Sequence, residues 1–337
     1  MKDAPLAIVG APGSPYSRKL RAVLRYRRIP HVWVQRGSRE SRRLPRPRVE
    51  LLPQLVFPGV QEALTDSTPL IRRLEGLHEG RSVIPDDPAL AFLDALLEDH
   101  ADEWLTKAMF HYRWAFEADV AQAAAILPRW FWIDQPEAEA VAAGKQFAER
   151  QIGRLGVVGS SPTTAATIES SYRRLLERLD ARLTESTFVF GGRPAASDFG
   201  LYGQLTQLAA FDPTPRRVAL ELAPRVVAWV DVVEDLSGHE PSAGDWLARD
   251  ALPDSLRALF AEVGRVYAPF LLANADALAR GAERVECTID GRPWLQKPFP
   301  YQAKCLAWLR EAHAALAASD RRAVDAFLAG TGCEALF

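Results

Sequence analysis

Apolar and polar positions follow two different periods in the first eighty residues. Residues 6–9, Leu-Ala-Ile-Val, are a continuous apolar run stopped by Gly10-Ala11-Pro12-Gly13, the pattern of a short buried strand. Leu20, Val23, Leu24 and Arg27 recur at i, i+3, i+4 and i+7. This predicts a helix whose inner face is apolar until the last turn and which Pro30 ends. His31-Val32-Trp33-Val34 reads as a second strand, and a βαβ unit this short implies a parallel pair with a right-handed crossover. Beyond a basic loop, 55–57 and 62–64 flank Pro58-Gly59-Val60, and Pro-Gly suits the centre of a type II turn, so a hairpin is expected. Asp66-Ser67-Thr68-Pro69 supplies a helix start, with Leu70, Ile71 and Leu74 on one face. The order β-α-β-(loop)-β-β-α predicts a small mixed sheet with helices packed on it.

Pro85-Asp86-Asp87-Pro88 reads as a linker, and 89–236 is helical by period. Interruptions are expected at Pro128, 153–162, 191–194 and 212–215. The last ninety or so residues change character. A helix is expected over 253–280, then a hairpin from 285–289 through Asp290-Gly291 to Trp294-Leu295, then helices over 301–318 and 321–328. Leu256, Leu259, Phe260, Val263, Val266 and Tyr267 repeat at helical spacing, so this segment is expected to pack as an integral extension. The chain thus divides into 1–82, 88–248 and 249–337.

Charge and cysteine content narrow the function classes. The formal net charge is −2, so no overall field favours nucleic acid, although the first fifty residues are rich in arginine. A solvated face, or contact with an acidic partner, accounts for that basic stretch. No run approaches the ~18–20 apolar residues of a spanning helix, and no signal-peptide pattern is present. Cys287, Cys305 and Cys333 match no metal spacing and read as reduced thiols of a cytoplasmic protein.

The chemistry centres on Ser14-Pro15-Tyr16-Ser17, which has the spacing of a CPYC redox motif with both sulfurs replaced by oxygen. That argues against exchange by a dithiol of the protein's own. Read alone, Ser14 is a helix cap before proline, Ser17 a first-turn serine bonded to backbone, and Asp66-Ser67 a further N-cap.

Four motifs in order resemble the glutathione S-transferase superfamily, over roughly residues 5–245. They are the SPYSRKLR segment, Leu52-Pro53-Gln54-Leu55, Asp66-Ser67 with Leu70-Ile71, and Phe190-Gly191-Gly192-Arg193-Pro194 followed by Ala196-Ser197-Asp198-Phe199. The resemblance implies a thioredoxin-like α/β domain, an all-α domain and, here, an additional mainly helical extension containing a short β-hairpin. It implies glutathione as co-substrate, no metal, and a binding set of Ser14, Tyr16, Leu52, Pro53, Asp66 and Ser67. In that set Ser14 holds the thiolate, Pro53 is cis, the Leu52 backbone pairs with the tripeptide, and Ser67 at a helix N-terminus receives the γ-glutamyl carboxylate. Asp66 replaces the family's usual glutamate, and Ala195 replaces its capping Ser or Thr, a role Ser197 is expected to assume.

A small hydrophobic electrophile would lie against Trp104, Phe110, His111 and Tyr112. The three cysteines are expected away from the site. The implied protein is a homodimer, with neither membrane nor nucleic-acid partner, that conjugates, reduces or isomerises its electrophile. A non-catalytic binding or scaffold protein of the same fold is the competing reading.

Overall fold

The computed structural model describes residues 5–242 and 244–337. Its first part is a mixed sheet of β1 (Leu6–Gly10), β2 (His31–Gln35), β3 (Gln54–Val56) and β4 (Leu64–Thr65), ordered β2-β1-β3-β4. β1 runs parallel to β2, with Leu6 opposite His31, and antiparallel to β3, which pairs antiparallel with β4. Helix α1 (Pro15–Tyr26) makes the crossover, and α2 (Ser67–Leu77) follows β4. Leu20, Val23 and Leu24 are buried as their spacing requires, with Lys19 fully buried beside them. The Pro58-Gly59 turn forms, with Gly59 at φ 79° and the Val60 N–H donating to the Phe57 carbonyl at 3.3 Å. The return strand starts at Leu64 instead of 62, because the Ala63 N–H is bonded to the Arg46 carbonyl of the basic loop.

The helical part comprises α3 (Pro88–Glu103), α4 (Leu105–Ala115), α5 (Glu117–Phe131), α6 (Glu137–Ile152), α7 (Ala165–Glu185), α8 (Ala196–Leu205), α9 (Pro213–Leu222) and α10 (Pro224–Val233). Pro128 does not interrupt the chain as expected. It sits in the last turn of α5, whose end it marks by accepting the Trp132 N–H. Every residue of α8 is buried. The Ser197 hydroxyl, expected to cap it, has no partner. Carboxylates cap it instead: Asp198 accepts the Ala195 and Val189 N–H groups at 2.8 and 2.9 Å, and Asp94 accepts the Ser197 N–H at 2.8 Å. Gly203 lets α8 lie directly on α1, since a Cβ there would come 2.6 Å from the Pro15 carbonyl oxygen.

The extension comprises α11 (Asp254–Glu262), α12 (Ala268–Ala279), the hairpin β5 (Val285–Ile289) and β6 (Arg292–Gln296), α13 (Pro300–Ala315) and α14 (Ala318–Leu328). The single helix expected over 253–280 is divided by a π-helical segment, Val263–Tyr267. There Gly264 admits the Thr331 carbonyl, which would stand 2.1 Å from a Cβ. Asp290 and Gly291 both take positive φ, 52° and 72°, as a two-residue hairpin turn demands. One contiguous apolar cluster includes Leu6 and Leu336, so the extension shares the core of the chain.

Part of the basic stretch finds its acidic partner within the chain. Arg18, Arg21 and Arg25 of α1 reach Glu234 at 3.1, 2.5 and 2.7 Å, and Arg28 and Arg81 reach Glu240. Among the described residues no helix is long and apolar enough to cross a membrane.

Candidate functional site

A cavity of about 490 Å³ lies where the sheet, the α3–α4 junction and α13 meet. That is within the ~300–1,000 Å³ typical of small-ligand pockets. One wall comes from the first seventy residues: Tyr16, Leu51, Leu52, Asp66, Ser67 and Thr68. The Leu52–Pro53 peptide bond is cis. Ser67 is buried at the start of α2, where the first N–H groups of a helix lack intrahelical acceptors. Asp66 holds a left-handed φ of 80°. Such strain in a non-glycine residue costs ~1–3 kcal/mol and is concentrated at functional sites. The Asp66 side chain is not a helix cap. It accepts the Tyr301 hydroxyl of α13 at 2.6 Å.

The opposite wall was not anticipated from sequence. Asp99, Asp102, Glu103, Thr106 and Lys107 line it at i, i+3, i+4, i+7 and i+8, one continuous helical face across the α3–α4 junction. Tyr301, Gln302, Cys305 and Trp308 face them from α13, with Phe299 just before it. The spacing of the acids was a visible signal, but a charged helix face ordinarily meets water, and here a segment two hundred residues later covers it.

The charges on this wall are unequally compensated. Lys19 binds Glu98 at 2.7 Å and Asp102 at 2.5 Å, and Arg72 binds Glu98 at 2.7 Å. Despite burial, Asp102 and Glu98 hold the Lys19 amine above its usual pKa. Burial pushes Asp99 up to about 7, and burial with Asp99 and Asp102 nearby pushes Glu103 up to about 8. Burial pulls Lys107 down to about 7, although Glu103 acts in the other direction. The Lys107 ammonium donates to Gln296 Oε1 at 3.0 Å and the Val158 carbonyl at 3.3 Å, with the Phe270 ring 4.1 Å away.

The expected thiol-handling residues divide. The Tyr16 hydroxyl donates to the Asp102 carbonyl at 2.8 Å, and burial followed by Glu103 and Asp102 raises its pKa well above the usual value. Ser14 caps α1, its Oγ accepting the Ser17 N–H at 3.3 Å, and the Ser17 hydroxyl in turn accepts the Ala11 N–H at 3.5 Å. Ser14 and Pro53 stand outside the cavity lining. One cysteine, expected to be remote, lines the cavity: Cys305. Burial, then Asp99 and Glu103, raise its pKa far above the usual value, so the thiol is held protonated.

The four residues expected around a second substrate do not form one pocket. Trp104 is buried, donates to Ser171 Oγ at 3.1 Å and packs on Trp294 at 5.2 Å. Phe110 joins a separate cluster with Trp114 and Leu127. His111 contacts Ser160 Oγ at 2.8 Å and Glu169 at 3.4 Å, and burial lowers its pKa. Tyr112 stacks on Phe116 at 5.2 Å. Consecutive helical residues point roughly 100° apart, so 110, 111 and 112 cannot face one cavity. Among the described residues no cluster of three or more acidic, histidine or cysteine side chains is arranged to hold a metal ion.

A thioredoxin-like α/β unit followed by an all-α unit, with a cavity between the cis-proline loop and the first long helices, defines the class of the protein. Residues 8–82 match the family profile described as glutathione S-transferase, N-terminal domain, and residues 131–231 match glutathione S-transferase, C-terminal domain. Together they cover just over half of the chain, which belongs to the glutathione S-transferase superfamily. Solved structures similar to it include a GST-like protein from Pseudomonas syringae, at 18% identity over 68% of this chain and 66% of that one, with a TM-score of 0.39. Poplar glutathione transferase F1 matches at 13% identity over 69% of this chain and 94% of that one, TM-score 0.40. A theta class glutathione S-transferase from Xanthomonas axonopodis pv. citri, solved with glutathione bound, matches at 18% identity over 68% and 96%, TM-score 0.36. No curated protein matches the chain.

Proposed function

We propose that this protein binds glutathione in the cavity between its sheet and its helices and joins the tripeptide, through its thiolate sulfur, to a small hydrophobic electrophile. The observation that carries this reading is the convergence of Tyr16, Leu52, Asp66 and Ser67 on one cavity. The Leu52 backbone would pair with the extended tripeptide, and the α2 N-terminus with the Ser67 hydroxyl would receive a carboxylate, where the helix dipole favours negative charge. Ser14, at the start of α1 and outside the cavity lining, would supply the sulfur contact. Its Oγ accepts from Ser17, which leaves the hydroxyl proton free to donate to a thiolate. The thiolate sulfur then attacks the electrophilic carbon, and the leaving group departs with the bonding pair. Calorimetric titration with glutathione tests the reading: saturable one-site binding supports it, and absence of heat at millimolar ligand rejects it.

A second reading, a non-catalytic binding protein, is favoured by one contact. The Tyr301 hydroxyl occupies the Asp66 carboxylate, the group that would meet the γ-glutamyl ammonium. Glutathione binding without turnover of any electrophile would select it.

A further inference from the structure

The wall formed by α3 and α13 carries a ligand preference of its own. Glu98, Asp102, Lys19 and Arg72 offset one another through their ion pairs. That leaves Asp66, Asp99 and Glu103 on the cavity against Lys107, while Arg154 is exposed at its edge. Asp99 and Glu103 are within reach of one another's field, and Gln302 of the facing helix donates to the Glu103 backbone carbonyl at 3.2 Å and to its Oε2 at 3.0 Å. Tyr301 and Tyr267 similarly donate to Asp66 and Asp99 at 2.6 Å each. Among the described residues these carboxyls therefore receive hydrogen-bond donors but no ion pair, and Lys107 acts on Glu103 only through space.

Two acceptors remain without any partner: Asp102 Oδ1 and Gln302 Oε1. Both belong to cavity-lining residues, and Gln302 is almost wholly buried. An unpartnered buried acceptor costs ~1–3 kcal/mol. A ligand whose N–H donors reached these atoms would remove that cost. Beside the acids the lining carries aliphatic side chains, Leu51, Leu52, Val157 and Val158, and the aromatic rings of Phe299 and Trp308, 38% and 40% exposed. The Trp308 ring already takes a cation on its face, Lys304 Nζ at 4.7 Å from the centroid.

From the carboxyl excess, the two orphan acceptors and the aromatic rim, we infer that this cavity binds a small organic cation, a primary ammonium on an apolar body, with Asp99, Asp102, Glu103 and Gln302 receiving the ammonium. The raised pKa values of Asp99 and Glu103 fit this assignment, because acids held protonated by burial and mutual repulsion are those a bound cation would ionise. The inference does not depend on glutathione binding, which uses the opposite wall.

Three probes of similar size and different charge test it by calorimetry at neutral pH: 2-phenylethylamine, 2-phenylethanol and 3-phenylpropionate. The amine is expected to bind at least tenfold more tightly than either of the others. Glu103→Gln keeps the shape and the acceptor for Gln302 but cannot ionise, and is expected to weaken the amine at least fivefold while leaving the alcohol unchanged. Equal binding of amine and alcohol by the wild type overturns the inference, as does an amine affinity unaltered in Glu103→Gln. Glutathione is titrated separately. Its binding without an amine preference rejects only this inference, and an amine preference without glutathione binding rejects only the transferase reading.

Discussion

The wall built from residues 51–68 consists of a backbone loop and a helix start whose conformations follow from short local sequences, although Tyr301 and Asp102 reach its Asp66 and Thr68 from other elements. The wall built from α3 and α13 consists of carboxyls and rings brought together by packing between residues two hundred positions apart. The first presents backbone groups and a helix dipole suited to an anion or a peptide. The second presents buried acids suited to a cation. A local motif can place a generic binding surface, whereas the acidic wall of this cavity is complete only with the α13 side chains that the extension lays over it.

That contrast requires the extension to be structural, and the largest expected effect tests this. Trp294 is fully buried against Trp104 and Phe270, at 5.2 and 5.9 Å between ring centroids. Trp294→Ala is expected to destabilise the whole chain by about 3–5 kcal/mol, read from the urea midpoint. A single transition moved by less than about 1 kcal/mol would make the extension an appended segment, and the second wall a detachable one.

The next effect separates the walls by charge. Glu103 has a folded pKa of about 8, so between its ordinary value of about 4.3 and 8 the folded chain keeps a proton that the unfolded chain has released. Its contribution to stability therefore falls as pH rises through that window. Glu103→Gln removes this dependence. Relative to the variant, the wild type is expected to lose on the order of 2 kcal/mol between about pH 5.5 and 8. His100, pulled down to about 3 by burial, acts oppositely as pH rises and is common to the two proteins; Lys107, at about 7, also acts oppositely, and loss of the Glu103 carboxylate lowers it further in the variant. Parallel stability curves would show that Glu103 is ionised in the fold.

What could be read in the sequence follows the same division. The βαβ unit, the Pro58-Gly59 turn and the Asp290-Gly291 hairpin follow from patterns within one short stretch of chain, and the cis proline from the resemblance that Leu52-Pro53-Gln54-Leu55 carries; all are present. Asp99, Asp102 and Glu103 look like a solvated helix face until α13 covers them, and no local pattern announces that cover. Lys19 illustrates the same limit. It falls one residue before the apolar stripe of α1, yet is buried because Glu98 and Asp102 arrive from α3. Trp104, Phe110, His111 and Tyr112 differ for another reason: they are close in sequence, but helical rotation disperses adjacent side chains into separate environments.

A smaller effect tests the first wall alone. Ser67→Ala is expected to weaken glutathione binding by about 1–2 kcal/mol, the loss of one hydrogen bond to a charged group, with amine binding unchanged. Unaltered glutathione affinity would reduce Ser67 to a structural role and move the carboxylate contact elsewhere on the cavity.

The smallest stability effect falls on Ser14, the proposed sulfur contact. Ser14→Ala removes the cap on the Ser17 N–H and is expected to cost about 1 kcal/mol of stability. Glutathione affinity should remain nearly intact, while the pKa of the bound thiol rises and thiolate chemistry slows at neutral pH. Ser14→Cys is the sharper probe. It sets a thiol at the N-terminus of α1, where the dipole favours its thiolate. With oxidised glutathione, that thiolate attacks one sulfur of the disulfide, forms a mixed disulfide at position 14 and releases one glutathione thiolate. The native thiols compete poorly, because burial raises the pKa of Cys287, Cys305 and Cys333 alike. Intact mass followed by peptide mapping should therefore find one glutathione on the variant, at position 14, and none on the wild type. An introduced thiol that a small alkylating reagent modifies but oxidised glutathione does not would place glutathione's sulfur away from α1, and the first wall would then bind a peptide or carboxylate without activating a thiol.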